Sequence, residues 1–196
     1  MSAITLPQPR GVLADLFPRT VVANVALVVG AAMLMGALAQ ISIPLGFTPV
    51  PLTGQTLGVM LIGTALGWRR ALGAMALYVA VGVAGVPWFA DHASGYPAAN
   101  FGFLIGFVVA SAALGWVASR GADRKIVNAF LAMAVGDAIV FLIGVTWLKY
   151  DLHVSAVTAL SLGFTPFIGV ELIKAAVAGV ALPSSWRLVD RATKES

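Results

Sequence analysis

The chain has no cysteine. Disulfides, thiolate nucleophiles and cysteine-ligated metals are therefore excluded, while the compartment stays open. Charge is scarce as well: 10% of the 196 residues are Asp, Glu, Lys or Arg, where a soluble domain carries about 25%. Neither Gly-Lys-Ser nor Gly-Lys-Thr occurs, so no Walker phosphate loop is present to hydrolyse nucleotide. Gly-x-Ser-x-Gly is also missing, which argues against a serine-hydrolase elbow. What the chain does contain is apolar: 60% of residues are hydrophobic and mean hydropathy is +0.95. Such a composition belongs in a bilayer, with room for one bundle of several spans and no separate soluble domain of normal size. A net charge of +4 and a pI near 9.9 would suit nucleic acid, but the basic residues stand singly or in pairs at the ends of apolar runs. That is a membrane topology code, and no nucleic-acid partner is expected.

Six apolar runs are long enough, or nearly so, to span. They cover residues 19–43, 55–68, 71–86, 101–119, 126–148 and 154–182, the last broken around Gly163 to Pro166. The first run lacks the short core and small-residue cleavage site of a signal peptide. The second is short for a span, so protein covers part of it or the preceding loop dips into the bilayer. The expectation is an all-α integral membrane protein, a six-helix transmembrane bundle over residues 19–182. Residues 1–18 form a cytoplasmic tail or interfacial segment and residues 183–196 a cytoplasmic C-terminal tail. Six spans put both termini on one side, and that side then holds ten of the twelve basic residues. The positive-inside rule makes it cytoplasmic. Trp68, Trp116 and Trp186 fall near the inner boundary and Trp88 and Trp147 near the outer one, as interfacial belts do.

Few polar residues remain to carry chemistry. Glu171 and Lys174 are three apart, so on a helix they share a face. Thr165 can cap that helix with Pro166 at its first position, aiming unpaired N–H groups at whatever lies above. A charge placed centrally costs about 2.5 to 3.5 kcal/mol and usually faces a cavity. The pair is either a mutually neutralised structural pair, with Lys174 able to snorkel to an interface, or a polar ligand site.

Two outer loops converge on this run. Residues 47–55 carry three of the site candidates: Phe47, and Thr53 and Gln55, which either offer uncharged hydrogen-bond partners at a mouth or cap the second helix. Residues 87–96 hold Trp88, Phe89 and Asp91; Trp88 and Tyr96 can stack on a ring or sit in the aromatic belt. Asp91 beside His92 supplies too few ligands for a metal. Asn100 caps the fourth span or reaches the ligand. Asp137, mid-span, is a proton relay or a protonated structural group, and an aspartyl membrane hydrolase would need it to face Glu171. Ala32-x-x-x-Gly36 lets another helix approach closely and is a candidate partner-docking stripe.

The combination of Ala39-Gln40-Ile41-Ser42-Ile43-Pro44, Phe47-Thr48-Pro49-Val50-Pro51-Leu52-Thr53-Gly54-Gln55-Thr56, Gly85-Val86-Pro87-Trp88-Phe89-Ala90 and Gly163-Phe164-Thr165-Pro166-Phe167 with Glu171 and Lys174 resembles the BioY family. These are biotin-capturing membrane subunits of energy-coupling factor (ECF) transporters. The resemblance implies a non-enzymatic, cofactor-free, multi-pass protein of a bacterial or archaeal cell membrane. It would pass biotin inward when docked on a transmembrane coupling protein and two ATPase subunits. By position it implies that Glu171 and Lys174 are the ligand-contacting pair, with Lys174 meeting the negative charge or orienting Glu171. Asn100, Asp91, Thr53 and Gln55 would supply polar contacts, and Phe47, Trp88 and Phe89 apolar ones. Family members usually carry Asp where this chain has Glu171, and a Pro-Thr-Gly-Gly-Tyr end where it reads Ala98-Ala99-Asn100-Phe101-Gly102. A capture subunit for another vitamin is the competing reading.

Overall fold

The computed structural model describes residues 11–195, without the side chains of 193–195. The first ten residues of the expected tail lie outside the described residues. Seven α-helices occur among those described. Helix α1 (Val21–Ala39) starts where Thr20 Oγ1 accepts from the Ala23 N–H at 3.1 Å, a side-chain cap. The proline-rich stretch folds as a small antiparallel hairpin, β1 (Ser42–Ile43) against β2 (Leu52–Thr53), with Ser42 opposite Thr53. Helices α2 (Gln55–Leu66) and α3 (Trp68–Val83) follow, then α4 (Phe101–Ala118), α5 (Ile126–Asp151), α6 (Ala156–Gly163) and α7 (Ile168–Glu195).

Helix α4 is central, packed on α2, α3 and α5, while α7 packs on α5 and α2 and α1 on α3. The inward faces are built from small side chains and a few large ones. On α3 they are Ala71, Ala74, Met75, Tyr78 and Gly82, a three-and-four spacing that keeps one stripe inside. Large aliphatic side chains point outward instead, among them Val22, Leu131, Leu142 and Ile173. Between helices in lipid, close backbone approach and dispersion do the packing, so small residues face in. Four helices are long and apolar enough to cross a membrane, taking Ala156–Ala192 as continuous. Helices α2 and α3, at 12 and 16 residues, are shorter.

Several details depart from expectation for local physical reasons. Helix α2 stops at Leu66 because Gly67 takes φ 76° and ψ 166°, a region open in practice only to glycine. Arg69 and Arg70 therefore open α3 and do not close α2. Arg70 holds Asp15 Oδ1 at 3.0 Å and Asn24 Oδ1 at 2.7 Å, and Val12 and Ala14 are buried against Leu27, Leu66 and Ala118. Residues 11–16 thus belong to the bundle. Thr165 caps nothing: residues 165–167 form a 3-10 turn, and its hydroxyl donates back to Leu160 O. Helix α7 runs on through Pro183 to Glu195, beyond the expected boundary at residue 182.

Ala32 and Gly36 face inward, with the Trp88 indole lying where a Gly36 side chain would be. The close approach they permit is used by this chain itself, and neither is open to a partner helix. Trp186 is not a belt residue either. It is buried, and its indole N–H donates to Asp123 Oδ2 at 2.6 Å.

Asp123, in the turn between α4 and α5, has its carboxyl raised above the ordinary carboxylate pKa by burial, an effect the Trp186 hydrogen bond offsets only in part. A raised folded-state value favours the protonated fold. Stability is therefore expected to be highest below the ordinary value of 3.8 and to fall as pH rises through the raised one. Melting curves across that window should flatten in Asp123→Asn, whose amide oxygen still accepts from Trp186; an unchanged slope would contradict the assignment.

Candidate ligand-binding site

The break between α6 and α7 sets the register of the site. After the turn at 165–167, α7 begins with Phe167 buried at its threshold and Glu171 one helical turn further on. Glu171 is 5% exposed. Its Oε1 accepts from Lys174 Nζ at 2.7 Å, and its Oε2 is buried with no partner. Lys174 also donates to the Thr53 carbonyl at 2.6 Å and to Thr56 Oγ1 at 2.8 Å. An ammonium has three N–H bonds, and all three are engaged. Lys174 therefore ties α7 to the hairpin and to the start of α2, and has no donor left over.

Glu171 lines a cavity with Thr53, Gln55 and Thr56 from the hairpin and α2, and with Phe89, Ala90, Ala93, Pro97 and Asn100 from the loop after α3. Val50 and Pro51 between the hairpin strands, Phe103, Leu104 and Phe107 of α4, Val140 and Phe141 of α5, and Phe167 complete the wall. The cavity is narrow, about 80 Å³; apolar grooves of about 420 and 440 Å³ flank α5 on its outer surface. Chemistry and not size singles it out. Asn100 donates from Nδ2 to Pro49 O at 3.2 Å, while its Oδ1 is buried and unpaired. Two unpaired acceptors, Glu171 Oε2 and Asn100 Oδ1, thus belong to residues lining one apolar cavity. Each costs about 1 to 3 kcal/mol unless a donor meets it. Ser42 Oγ and Asp123 Oδ1 are also unpaired, but neither residue lines the cavity.

Of the residues singled out from sequence, Glu171, Asn100, Thr53, Gln55 and Phe89 come together here. Lys174 stands behind them. Asp91 is exposed, in a left-handed conformation at φ 57°, and does not line the cavity. Phe47 is 62% exposed near the hairpin tip and also lies apart. Trp88 is behind the wall: its ring packs on Tyr78 and its N–H donates to Tyr78 O at 3.0 Å. Asp137 is half-buried on α5, within electrostatic reach of Glu171 and Lys174 but outside the cavity lining. Among the described residues, no cluster of three metal-ligating side chains occurs.

Sequence reasoning missed Thr56, Gln40, Tyr78 and the phenylalanines of α4, α5 and the 165–167 turn. The signal for Phe103 and Phe107 was their spacing of four, beside Gly102 and Gly106. Gln40 sits at the end of α1 and donates to the carbonyls of Trp88 and Phe89, both at 3.1 Å.

A helical bundle with apolar outer faces, enclosing a small cavity with one buried ion pair beside it, has the architecture of a membrane-embedded solute-binding protein. The comparisons specify it further. The model of the BioY family matches residues 10–191. Biotin transporter BioY2 of Lactococcus lactis subsp. cremoris is 38% identical over 155 residues, covering 78% of this chain and 84% of that one. Biotin transporter BioY of Thermotoga maritima is 36% identical over 146 residues, covering 72% and 83%. The crystal structure of an S-component for biotin from an ECF-type ABC transporter superposes with a TM-score of 0.76 at 20% identity, over 85% of this chain and 92% of that one. The chain belongs to the BioY family and is a multi-pass membrane protein.

Breaking a buried pair leaves one charge uncompensated, while replacing both partners with apolar groups does not. Lys174→Met is expected to lower stability in detergent by about 3 to 5 kcal/mol. Lys174→Met combined with Glu171→Met should recover most of that loss. Thermal melts of both variants check this, and a double variant as unstable as the single one would contradict it.

Proposed function

We propose that the chain captures biotin from the outer side of the membrane and is the substrate-specific subunit of an ECF-type transporter. The observation that carries the reading is the pair of buried, unpaired acceptors, Glu171 Oε2 and Asn100 Oδ1, in an otherwise apolar cavity. A ureido ring offers two N–H donors on one rigid frame. Its carbonyl needs a donor in turn, and Thr56, whose oxygen accepts from Lys174, keeps its own O–H proton for that purpose. The thioether ring lies against Phe89, Phe103 and Phe141. These contacts supply what pockets for such ligands generally need, an apolar wall with a few placed polar groups.

The orientation follows from Lys174. Its three donors are spent and, among the described residues, no Lys, Arg or His lines the cavity, so the ligand's carboxylate points away from the pair. Lys174 acts on the ligand by orienting Glu171. A cavity of about 80 Å³ must widen to seat a bicyclic molecule. The side free of long helices is the hairpin with the loop carrying Phe89, so capture moves that wall.

Counting α6 and α7 as one interrupted span gives six spans with both termini cytoplasmic. Biotin is then released inward by movement of the bundle on a coupling membrane protein driven by two ATPase subunits. No catalytic step belongs to this chain.

Purified protein is expected to bind labelled biotin with a Kd below micromolar, and Glu171→Ala to weaken it more than a hundredfold. Biotinamide should bind within about tenfold of biotin, since a salt bridge to the carboxylate would make the difference a hundredfold or more. No binding of biotin would reject the ligand, and a hundredfold loss with biotinamide would reject the orientation. Co-purification of ATPase subunits with the tagged chain tests the partners.

A further inference from the structure

Behind the cavity lies a polar clasp centred on Tyr78, which does not itself line the wall. We propose that Tyr78 is a positioning residue for the ligand: its hydroxyl sets which way the Gln55 amide faces, and its ring and main chain hold the loop that carries Phe89. The inference rests on the ligand reading above.

Tyr78 sits at the middle of α3 and is fully buried. Its phenol oxygen accepts from Gln55 Nε2 at 2.9 Å and donates to the Trp88 carbonyl at 3.4 Å. The polarity of the chain is fixed at one end. A carbonyl can only accept, so with the phenol proton on the Trp88 carbonyl, which also accepts from Gln40 Nε2 at 3.1 Å, the phenol presents a lone pair to Gln55. Gln55 must then turn its NH₂ toward Tyr78. Its Oε1 is left on the other side, where Thr53 Oγ1 donates to it at 3.1 Å. An amide that could otherwise flip is thereby held in one orientation at the cavity wall, with Tyr78 itself outside that wall.

The same residue seats the apolar side of the wall. Phe89 meets the Tyr78 ring edge-on with centroids 5.3 Å apart. It fits because Gly82, one turn along α3, has no side chain; a Cβ there would collide with the Phe89 ring. Trp88 packs on the Tyr78 ring at 5.3 Å and donates its indole N–H to Tyr78 O. Gln40 closes the loop from α1, its Oε1 accepting from the His92 N–H at 3.3 Å. Tyr78 is therefore the point where α2, α3 and the Phe89 loop are brought into register.

Tyr78→Phe removes one oxygen and leaves the packing. Affinity for biotin is expected to fall roughly tenfold, because an amide no longer held by the phenol has to be ordered when the ligand binds, with the melting temperature within a few degrees of wild type. If Tyr78 acts through Gln55, the same substitution in a Gln55→Ala background should change affinity less than about twofold. An equal loss in both backgrounds, or no loss in wild type, overturns the proposal. Hydrogen exchange without ligand gives a second measurement: amides of residues 53–56 and 88–93 should exchange faster in Tyr78→Phe, and unchanged rates overturn it. If wild-type protein binds no biotin, the ligand reading fails while the exchange data still decide the clasp.

Discussion

An ammonium group held by three oxygens from three parts of the chain is the constraint on which the rest of the structure turns. Lys174 comes from α7, the Thr53 carbonyl from the hairpin, Thr56 from the first turn of α2, and Glu171 from one turn above Lys174 itself. The side chains of the pair are 12% and 7% exposed, so water does little to solvate them. In such a place a charge persists only if its hydrogen-bonding capacity is met locally. Meeting it requires α7 to approach the hairpin base and α2 to begin where it does. The small residues of α4 let the remaining helices close around that arrangement.

The pair is also asymmetric. Lys174 is saturated, whereas Glu171 keeps one oxygen without a partner. A cavity flanked by a neutralised pair, with acceptors left over and no cation in its lining among the described residues, favours a ligand that donates hydrogen bonds and brings no charge to the same spot. That chemistry separates a ureido head from a carboxylate tail without any group dedicated to repelling the latter.

Much of this was legible in the sequence, and the boundary of legibility is instructive. Membrane residence follows from composition, the break before α7 from Gly163 and Pro166, and the pairing of Glu171 with Lys174 from the cost of burying charge. Thr53, Gln55, Phe89 and Asn100, which line the cavity, lie near prolines and span starts, where loops return to the bundle. Failures arose where direction mattered. Asp91 and Phe47 share loops with residues that line the cavity, but a positive φ at one and a hairpin tip at the other turn them outward. Ala32 and Gly36 looked like a docking stripe because small residues reveal close packing without revealing against what, and here it is Trp88. Tyr78 was passed over as one aromatic in an apolar run; its partners are 10 and 23 residues away, beyond any local pattern.

The two sides of the cavity differ in construction, and the difference bears on how the proposed capture would be coupled to closure. The floor comes from α2, α4, α5 and α7, whose backbones are hydrogen-bonded internally and packed on one another. The opposite wall is a two-residue-per-strand hairpin, anchored at its base where the Thr53 carbonyl accepts from Lys174, and an irregular loop, otherwise cross-tied by Asn100 to Pro49 O, Thr48 to Leu162 O, and Gln40 to Trp88 and Phe89. Asn100 belongs to both systems, since its Nδ2 holds the hairpin while its Oδ1 is left over at the cavity. A solute that pairs with Oδ1 and with Glu171 Oε2 together, as proposed, would bridge the hairpin wall and the helical floor. On the proposed reading each of those bonds would relieve a buried acceptor only when the wall is in place, so the ligand's binding free energy would fall on the closed arrangement and shift the population toward it.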